Sequence, residues 1–245
     1  MSKLEDVKEG IKRHPFLRGV LLVVWVGLCL TVAQFLAGLV VQLLLVLGWI
    51  SEYDLAQPVA QFLASAVMYL VSFALMWGVP KLVLGIGTSR DELGLRGMPT
   101  WTDILLYLVG FAGTLFLGGI LVGILALLLP KVDWSQEQEV GFTALNGGAQ
   151  LLEAFLTLVI IAPITEELIF RGWLYGKMRL RLGAPGAILL TSFLFGVMHG
   201  QMNVGAVTFV MSVLACLQRE LTGTIFSSIL THMLKNGVAF CILFL

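Results

Sequence analysis

The chain has 245 residues, of which 58% are hydrophobic and only 12% are charged, and its formal net charge is zero. Soluble domains carry about 25% charged residues, so too few polar groups remain here to cover a surface that faces water. The composition excludes an ordinary soluble domain and predicts an integral membrane protein in contact with the lipid bilayer. A net charge of zero gives no indication of a nucleic-acid partner.

The N-terminal segment 1–16 is charged and lacks the short apolar core and cleavage site of a secretory signal, so we expect it to lie in the cytoplasm. Hydrophobic segments near the roughly 20 residues that cross a bilayer follow, at 17–48, 57–84, 103–130, 147–170, 184–199, 203–218 and 223–245. The fifth and sixth are short and are separated only by 200–203, so they form either one hairpin with a buried turn or two tilted helices. The predicted fold is all-α, a polytopic transmembrane helix bundle of about seven helices, with eight as the alternative.

Lysine and arginine are distributed unevenly among the loops. They are concentrated in the N-terminal segment and in the second and fourth loops between the predicted spans. The sixth loop holds Arg219. The first, third and fifth loops together hold a single basic residue, Lys131. Cytoplasmic loops of membrane proteins carry the excess of positive charge. The pattern predicts a cytoplasmic N-terminus and places Leu245 on the opposite side of the membrane, which we expect to be a bacterial or archaeal plasma membrane.

Charged residues and histidines inside the predicted spans are confined to the second half of the chain. The first three spans hold no charged residue in their interiors, whereas the last four hold Glu153, Glu166, Glu167, Arg171, His199, His232, Lys235 and Asn236. Charged groups inside a bilayer are costly and indicate function. We therefore predict a scaffold of two transmembrane helices at 17–84, a cytoplasmic loop at 85–102, and a core at 103–245 that contains the site.

Two adjacent glutamates on the fourth span are predicted to have different roles. Glu167 and Arg171 are four residues apart, so they share one helix face and are expected to form a structural ion pair. Glu166 lies about 100° further around the helix, which leaves it to act as a general base. The alternative is that both carboxylates simply flank the cytoplasmic end of the helix.

A turn signal at 183–185 predicts that the fourth and fifth helices form a hairpin. Glu166 and His199 each lie about 16 residues from its midpoint, so the hairpin places them at one level. His232 lies about ten residues into the last helix, at a similar depth, and Asn236 shares its helix face. A single membrane histidine more commonly forms a hydrogen bond to a neighbouring helix. Three groups at one depth favour a catalytic site instead.

Other chemistries find less support in the sequence. It contains neither the HExxH pattern of zinc proteases nor a GxSxG nucleophile elbow, and its three cysteines form no CxxC pair. A transporter would be expected to show inverted repeats, and none is found. Asn236 is a poor zinc ligand and a good oxyanion donor, so we expect no cofactor. In the less favoured zinc-dependent alternative, the metal ligands would be Glu166, His199 and His232.

Three patterns in the second half of the chain resemble the motifs of the CPBP intramembrane protease family, which contains CAAX prenyl endopeptidases and bacteriocin-processing proteins. They are Glu166-Glu167-x-x-x-Arg171, Phe195-x-x-x-His199 and His232-x-x-x-Asn236. The resemblance covers about 150–240, and 92–96 is similar to the family's entry to an upstream helix.

The resemblance implies an endopeptidase that hydrolyses a peptide bond in a membrane-associated or lipidated protein or peptide. It implies that Glu166 and His199 activate water, that His232 and Asn236 hold the oxyanion, and that the Glu167 and Arg171 pair is structural. The alternative within the same family is a non-proteolytic membrane scaffold, or a bacteriocin-immunity or signalling partner.

Overall fold

The computed structural model describes residues 15–245 except 52, 54–56, 86, 139, 143, 144 and 146. Most of the predicted cytoplasmic segment 1–16 therefore lies outside the described residues. Across the described part of the chain the secondary structure is helical, with no strand, which confirms the predicted all-α fold.

Seven helices follow one another along the part of the chain that the structure describes. Helix α1 is Pro15–Val46, and α2 joins Pro58–Phe73, the π-helical Ala74–Gly78 and Val79–Leu84. Helix α3 is Trp101–Leu128, α4 covers 148–182, α5 covers 184–197, α6 is Met202–Thr222 and α7 is Phe226–Phe244. Helix α4 contains two π-helical stretches, Leu156–Ile161 and Leu168–Tyr175.

The break between α4 and α5 determines the number of membrane passes. By length and apolar composition the described residues contain six helical runs able to cross a membrane, and the longest, Gly148–Val197, has 50 residues. A straight helix of that length would extend about 75 Å, against about 30 Å of hydrocarbon. Gly183 interrupts it with φ 70° and ψ 174°, a conformation that glycine adopts without steric cost. Division at Gly183 gives the seven predicted segments.

Side-chain contacts show that α4 and α5 form the predicted hairpin. The rings of Phe170 and Phe195 lie 4.9 Å apart, and the Thr191 hydroxyl lies 3.8 Å from the sulfur of Met178. Both pairs are nearly symmetric about Gly183, as an antiparallel arrangement requires. The hairpin therefore carries residues near 166 and residues near 199 to the same level.

The loops that carry most of the basic residues meet at one end of the bundle. Arg219 donates to the backbone carbonyl of Glu92 at 2.6 Å, and Arg179 forms an ion pair with Glu220 at 2.8 Å. These contacts join the loop before α3, helix α4 and the end of α6. We call this end the basic end, defined by Lys81, Arg90, Arg96, Lys177, Arg179, Arg181 and Arg219.

The loops with few basic residues meet at the opposite, non-basic end, formed by 129–147 and 198–201. Gln201 donates to the carbonyl of Glu137 at 2.9 Å, and Asn203 donates to the carbonyl of Gln136 at 2.7 Å. Successive described loops thus lie at alternate ends, as the charge pattern predicted.

Helices α5 and α6 cross with their backbones in contact. A Cβ on Gly196 would lie 2.8 Å from the carbonyl oxygen of Gly205, and the reverse distance is also 2.8 Å. Small residues permit such close helix packing in membranes. Helix α5 covers only 184–197, about 21 Å at 1.5 Å per residue, so it ends short of the roughly 30 Å hydrocarbon thickness. The turn at 198–201 is only partly covered, with Met198 44% exposed, and Gln201 connects it to Glu137 of the preceding loop.

Large apolar side chains point outward from the bundle. On α3, Leu105 is 65% exposed and Phe116 is 68% exposed. A contiguous apolar surface of this kind is unfavourable in water but favourable against acyl chains. The chain is an integral membrane protein.

Candidate active site

A polar cavity of about 460 Å³ lies between α2, α4, α7 and the described residues of the segment 138–142, which are 138 and 140–142. All four predicted catalytic residues line it, namely Glu166, His199, His232 and Asn236. The segment 138–142 belongs to loop 129–147, so the cavity extends from the middle of the bundle towards the non-basic end. Polar groups from five separate parts of the chain, including the turn that carries His199, thus meet in one partly open cavity.

The two adjacent glutamates have different surroundings. The side chain of Glu166 is 23% exposed and faces the cavity. The Glu167 carboxylate is fully buried and lies 2.9 Å from Nη1 of Arg171, which is also fully buried. The guanidinium carbon of Arg171 lies 4.2 Å from the centre of the Phe195 ring, within cation–π range. One carboxylate is neutralised inside the protein, and the other is available to a ligand.

His232 connects the buried ion pair to the cavity. Its Nδ1 lies 3.0 Å from Oε1 of Glu167, and its Nε2 lies 3.9 Å from Oε2 of Glu166. An ionised carboxylate can only accept a hydrogen bond, so Nδ1 carries the hydrogen that is donated to Glu167. The imidazole is thereby fixed in orientation, with Nε2 directed towards Glu166.

His199 is held by the helix that precedes it. Its Nδ1 lies 2.8 Å from the carbonyl oxygen of Phe195, and its ring packs against the Phe195 ring at 4.9 Å. A carbonyl oxygen can only accept, so Nδ1 is the donor. In the neutral ring, Nε2 then carries a lone pair that can accept a proton or a hydrogen bond.

Asn236 is positioned by an irregularity in α4. The N–H of Ala162 donates to the carbonyl of Thr157, one residue further back than in an α-helix. In that register the carbonyl of Leu158 would need an N–H from residue 163, which is proline and has none. The side-chain amide of Asn236 donates to this carbonyl at 2.9 Å. Since a primary amide has two N–H groups, the second is left to serve the cavity.

The structure corrects the prediction that the first half of the chain is only scaffold. Tyr69 of α2 donates its hydroxyl hydrogen to Oε1 of Glu166 at 2.9 Å. Ser65 and Gln61, one and two turns earlier, line the same cavity. Their spacing of four residues puts all three on one face of α2. This polar stripe is visible in the sequence. Its members are uncharged, so the distribution of charged residues did not indicate it.

Lys235 also lines the cavity, on the same helix as His232 and Asn236. It lies three residues after His232, so both side chains project from neighbouring positions on α7. Lys235 is therefore part of the cavity wall.

The donor set was also compared with what a metal ion requires. Among the described residues, no group of three or more His, Cys, Asp and Glu side chains is arranged to hold a metal ion. Zinc in a catalytic site takes three protein ligands. The arrangement of Glu166, His199 and His232 does not provide this set.

The part of the chain that contains these residues was compared with known proteins. Residues 148–238 match the family model described as type II CAAX prenyl endopeptidase Rce1-like. The match begins with α4 and ends within α7, and it includes all three motifs. No curated protein and no solved structure matches the chain. The predicted family resemblance is therefore confirmed, and residues 148–238 are similar to the Rce1-like type II CAAX prenyl endopeptidases, a family of membrane proteases.

Proposed function

We propose that this protein is an intramembrane endopeptidase that hydrolyses a peptide bond by a glutamate-based mechanism without a metal. The observation that carries the proposal is the placement of the two glutamates. Glu167 is sealed in an ion pair with Arg171 at 2.9 Å, whereas Glu166 stands in a polar cavity with two histidines and an asparagine. A structural ion pair alone would not need a second carboxylate in a cavity.

The water nucleophile is assigned to the space between Glu166 and His199. Glu166 accepts the proton of the water, and Nε2 of His199 accepts a second hydrogen bond that orients it. Tyr69 supports this step, because its hydrogen bond of 2.9 Å occupies Oε1 of Glu166 and leaves Oε2 for the water. Fixing the base and the water in one geometry is a major source of rate enhancement.

The oxyanion of the tetrahedral intermediate is assigned to His232 and Asn236. Asn236 contributes its second N–H, and Nε2 of His232 contributes a donor when it is protonated. The hydroxide adds to the carbonyl carbon and the peptide C–N bond breaks. The proton taken by Glu166 is then passed to the leaving amine, which gives one new carboxyl terminus and one new amine. Atoms and charge balance without a further reactant.

The proposed substrate is a membrane-associated or lipidated protein or peptide, as the Rce1-like match favours. A suitable probe is an internally quenched peptide with an S-farnesyl cysteine four residues from its C-terminus, presented in liposomes with the purified protein. Cleavage should require Glu166, so Glu166→Gln should be inactive. Glu153→Gln is a matched control, because Glu153 lies on the same helix and does not line the cavity.

The outcome that contradicts the proposal is equal product formation by the protein and by Glu166→Gln. Exhaustive chelation tests the metal-free mechanism separately. Activity should survive it, and activity that is lost on chelation and restored by zinc would overturn that part of the proposal.

We also propose that the basic end faces the cytoplasm, since cytoplasmic loops carry the excess of Lys and Arg. The cavity then faces the opposite side of the membrane, because segment 138–142 lines it. A single cysteine at Gln138, in a background without native cysteines, should react with a membrane-impermeant maleimide on intact cells. A single cysteine at Arg90 should react only after lysis. The reverse labelling pattern would invert the orientation.

A further inference from the structure

Lys235 has no assigned role in the mechanism, although it stands inside the catalytic cavity. It lines the same space as Glu166 and Asn236. Among the described residues, its ammonium forms no hydrogen bond within 3.5 Å and no ion pair within 4.0 Å. By contrast, Arg171 has a carboxylate partner at 2.9 Å and Arg219 donates to two backbone carbonyls. Lys235 is therefore a cation that borders open cavity volume, in which an anionic group can be accommodated.

An unpaired ammonium at this depth is costly, because neither lipid nor an apolar core can replace its water shell. Among the described residues that line the cavity, the acidic side chain is that of Glu166. The mechanism uses Glu166 as the proton acceptor and gives it a hydrogen bond from Tyr69 at 2.9 Å. Among the described residues of the cavity, no second carboxylate is present to pair with Lys235, so an anionic group on a bound ligand would complement it.

We propose that Lys235 forms a carboxylate-binding subsite and determines substrate specificity, an inference that rests on the proposed peptidase function. Lys235 precedes Asn236 directly, so the bound carboxylate lies close to the scissile bond. Since an extended chain advances about 3.3–3.6 Å per residue, the separation is a few residues. Two groups of a peptide have this chemistry, a free terminal α-carboxylate and an acidic side chain.

A different role for Lys235 would give different kinetics. If the ammonium acted only through Glu166 or on the oxyanion, its removal would slow every substrate by the same factor. If it binds a carboxylate of the substrate, its removal slows the substrates that carry that carboxylate much more than those that lack it. The comparison of matched substrates separates these two roles.

The experiment uses three internally quenched, S-farnesylated peptides of one sequence in liposomes. The first ends in a free carboxylate, the second ends in a carboxamide, and the third ends in a carboxamide but carries an aspartate after the cleaved bond. The full-length protein should cleave at least one carboxylate-bearing peptide roughly 10- to 100-fold more efficiently than the plain carboxamide, chiefly through a lower KM. Whether the first or the third peptide is preferred identifies the source of the carboxylate.

The variants then connect this preference to Lys235. Lys235→Met should remove the preference by raising KM for the carboxylate-bearing peptide far more than for the plain carboxamide, whereas Lys235→Arg should retain much of the preference. Lys177→Met, at the basic end, is the control for loss of one cation. Equal cleavage of all three peptides by the unmodified protein would overturn the subsite, and so would an equal loss on all three in Lys235→Met. Absence of cleavage of any peptide, with or without Glu166, would instead contradict the proposed function.

Discussion

The separate environments of Glu166 and Glu167 predict opposite consequences for the same substitution. Glu166→Gln keeps the shape of the side chain, and its carbonyl oxygen can still accept the hydrogen bond from Tyr69. The variant should fold and melt like the unmodified protein. It loses the proton acceptor, so cleavage should fall by roughly 10²- to 10⁴-fold, the range typical of general-base loss.

Glu167→Gln should instead act on stability. The carboxylate lies 2.9 Å from Arg171 and 3.0 Å from His232, and it is fully buried. Its removal leaves a buried cation without a counter-ion, which costs about 3–5 kcal/mol in comparable pairs. At roughly 2–4 °C per kcal/mol, the melting temperature should fall by roughly 6–20 °C. Arg171→Gln should behave similarly, and the double variant should lose less than the sum of the two singles.

The assay is cleavage rate together with melting temperature in the same detergent, with Glu153→Gln as the control. A Glu167→Gln protein that melts normally but is inactive, beside an active Glu166→Gln protein, would show that the two roles are reversed. Normal cleavage by both variants would refute the proposed site altogether.

Three further substitutions test other contacts. Tyr69→Phe should reduce kcat/KM at least roughly 10-fold without a change in melting temperature, because a hydrogen bond to a charged group contributes about 1.5–3 kcal/mol. Unchanged kinetics would exclude a role for α2 in the site. Asn236→Ala should lower kcat by about 10²- to 10³-fold, as removal of an oxyanion donor does, and a loss seen only in KM would contradict that assignment. Gly205→Ala should lower the melting temperature, because its Cβ would lie 2.8 Å from a backbone oxygen, whereas Gly119→Ala, which meets no atom within 4 Å, should not.

Hydrophobicity and charge pattern were sufficient to predict the arrangement of helices. Membrane spans are specified by segment length and apolar composition, and the alternation of ends follows from where Lys and Arg occur. The hairpin about Gly183 was also predictable, since a glycine followed by proline marks a break between two apolar runs. The predicted hairpin placed Glu166 and His199 at the same depth, and in the structure both residues line one cavity.

The remaining features of the site depend on contacts that a one-dimensional pattern does not contain. The hydrogen bond from Tyr69 joins residues 97 positions apart, in a part of the chain outside the family match. The bond from Asn236 to Leu158 depends on a π-helical register in α4. Pro163 was the available sign of that irregularity, because a proline inside a membrane helix removes a backbone donor. The position of Lys235 inside the cavity required the rotation of α7, which motif spacing alone does not fix.

The packing below the cavity has a consequence for the energetics of the membrane. Water that reaches Glu166 has already crossed much of the bilayer, so the remaining barrier to ion leakage is the layer between Glu166 and the basic end. That layer contains Phe170, Leu174, Met178 and Phe195, each at most 3% exposed. Moving a unit charge across a membrane potential of 100 mV changes its energy by about 2.3 kcal/mol. Where water fills the cavity, most of that potential falls across this apolar layer. Phe195, which contacts both Arg171 and His199, therefore belongs both to the candidate site and to the layer that separates the cavity from the basic end.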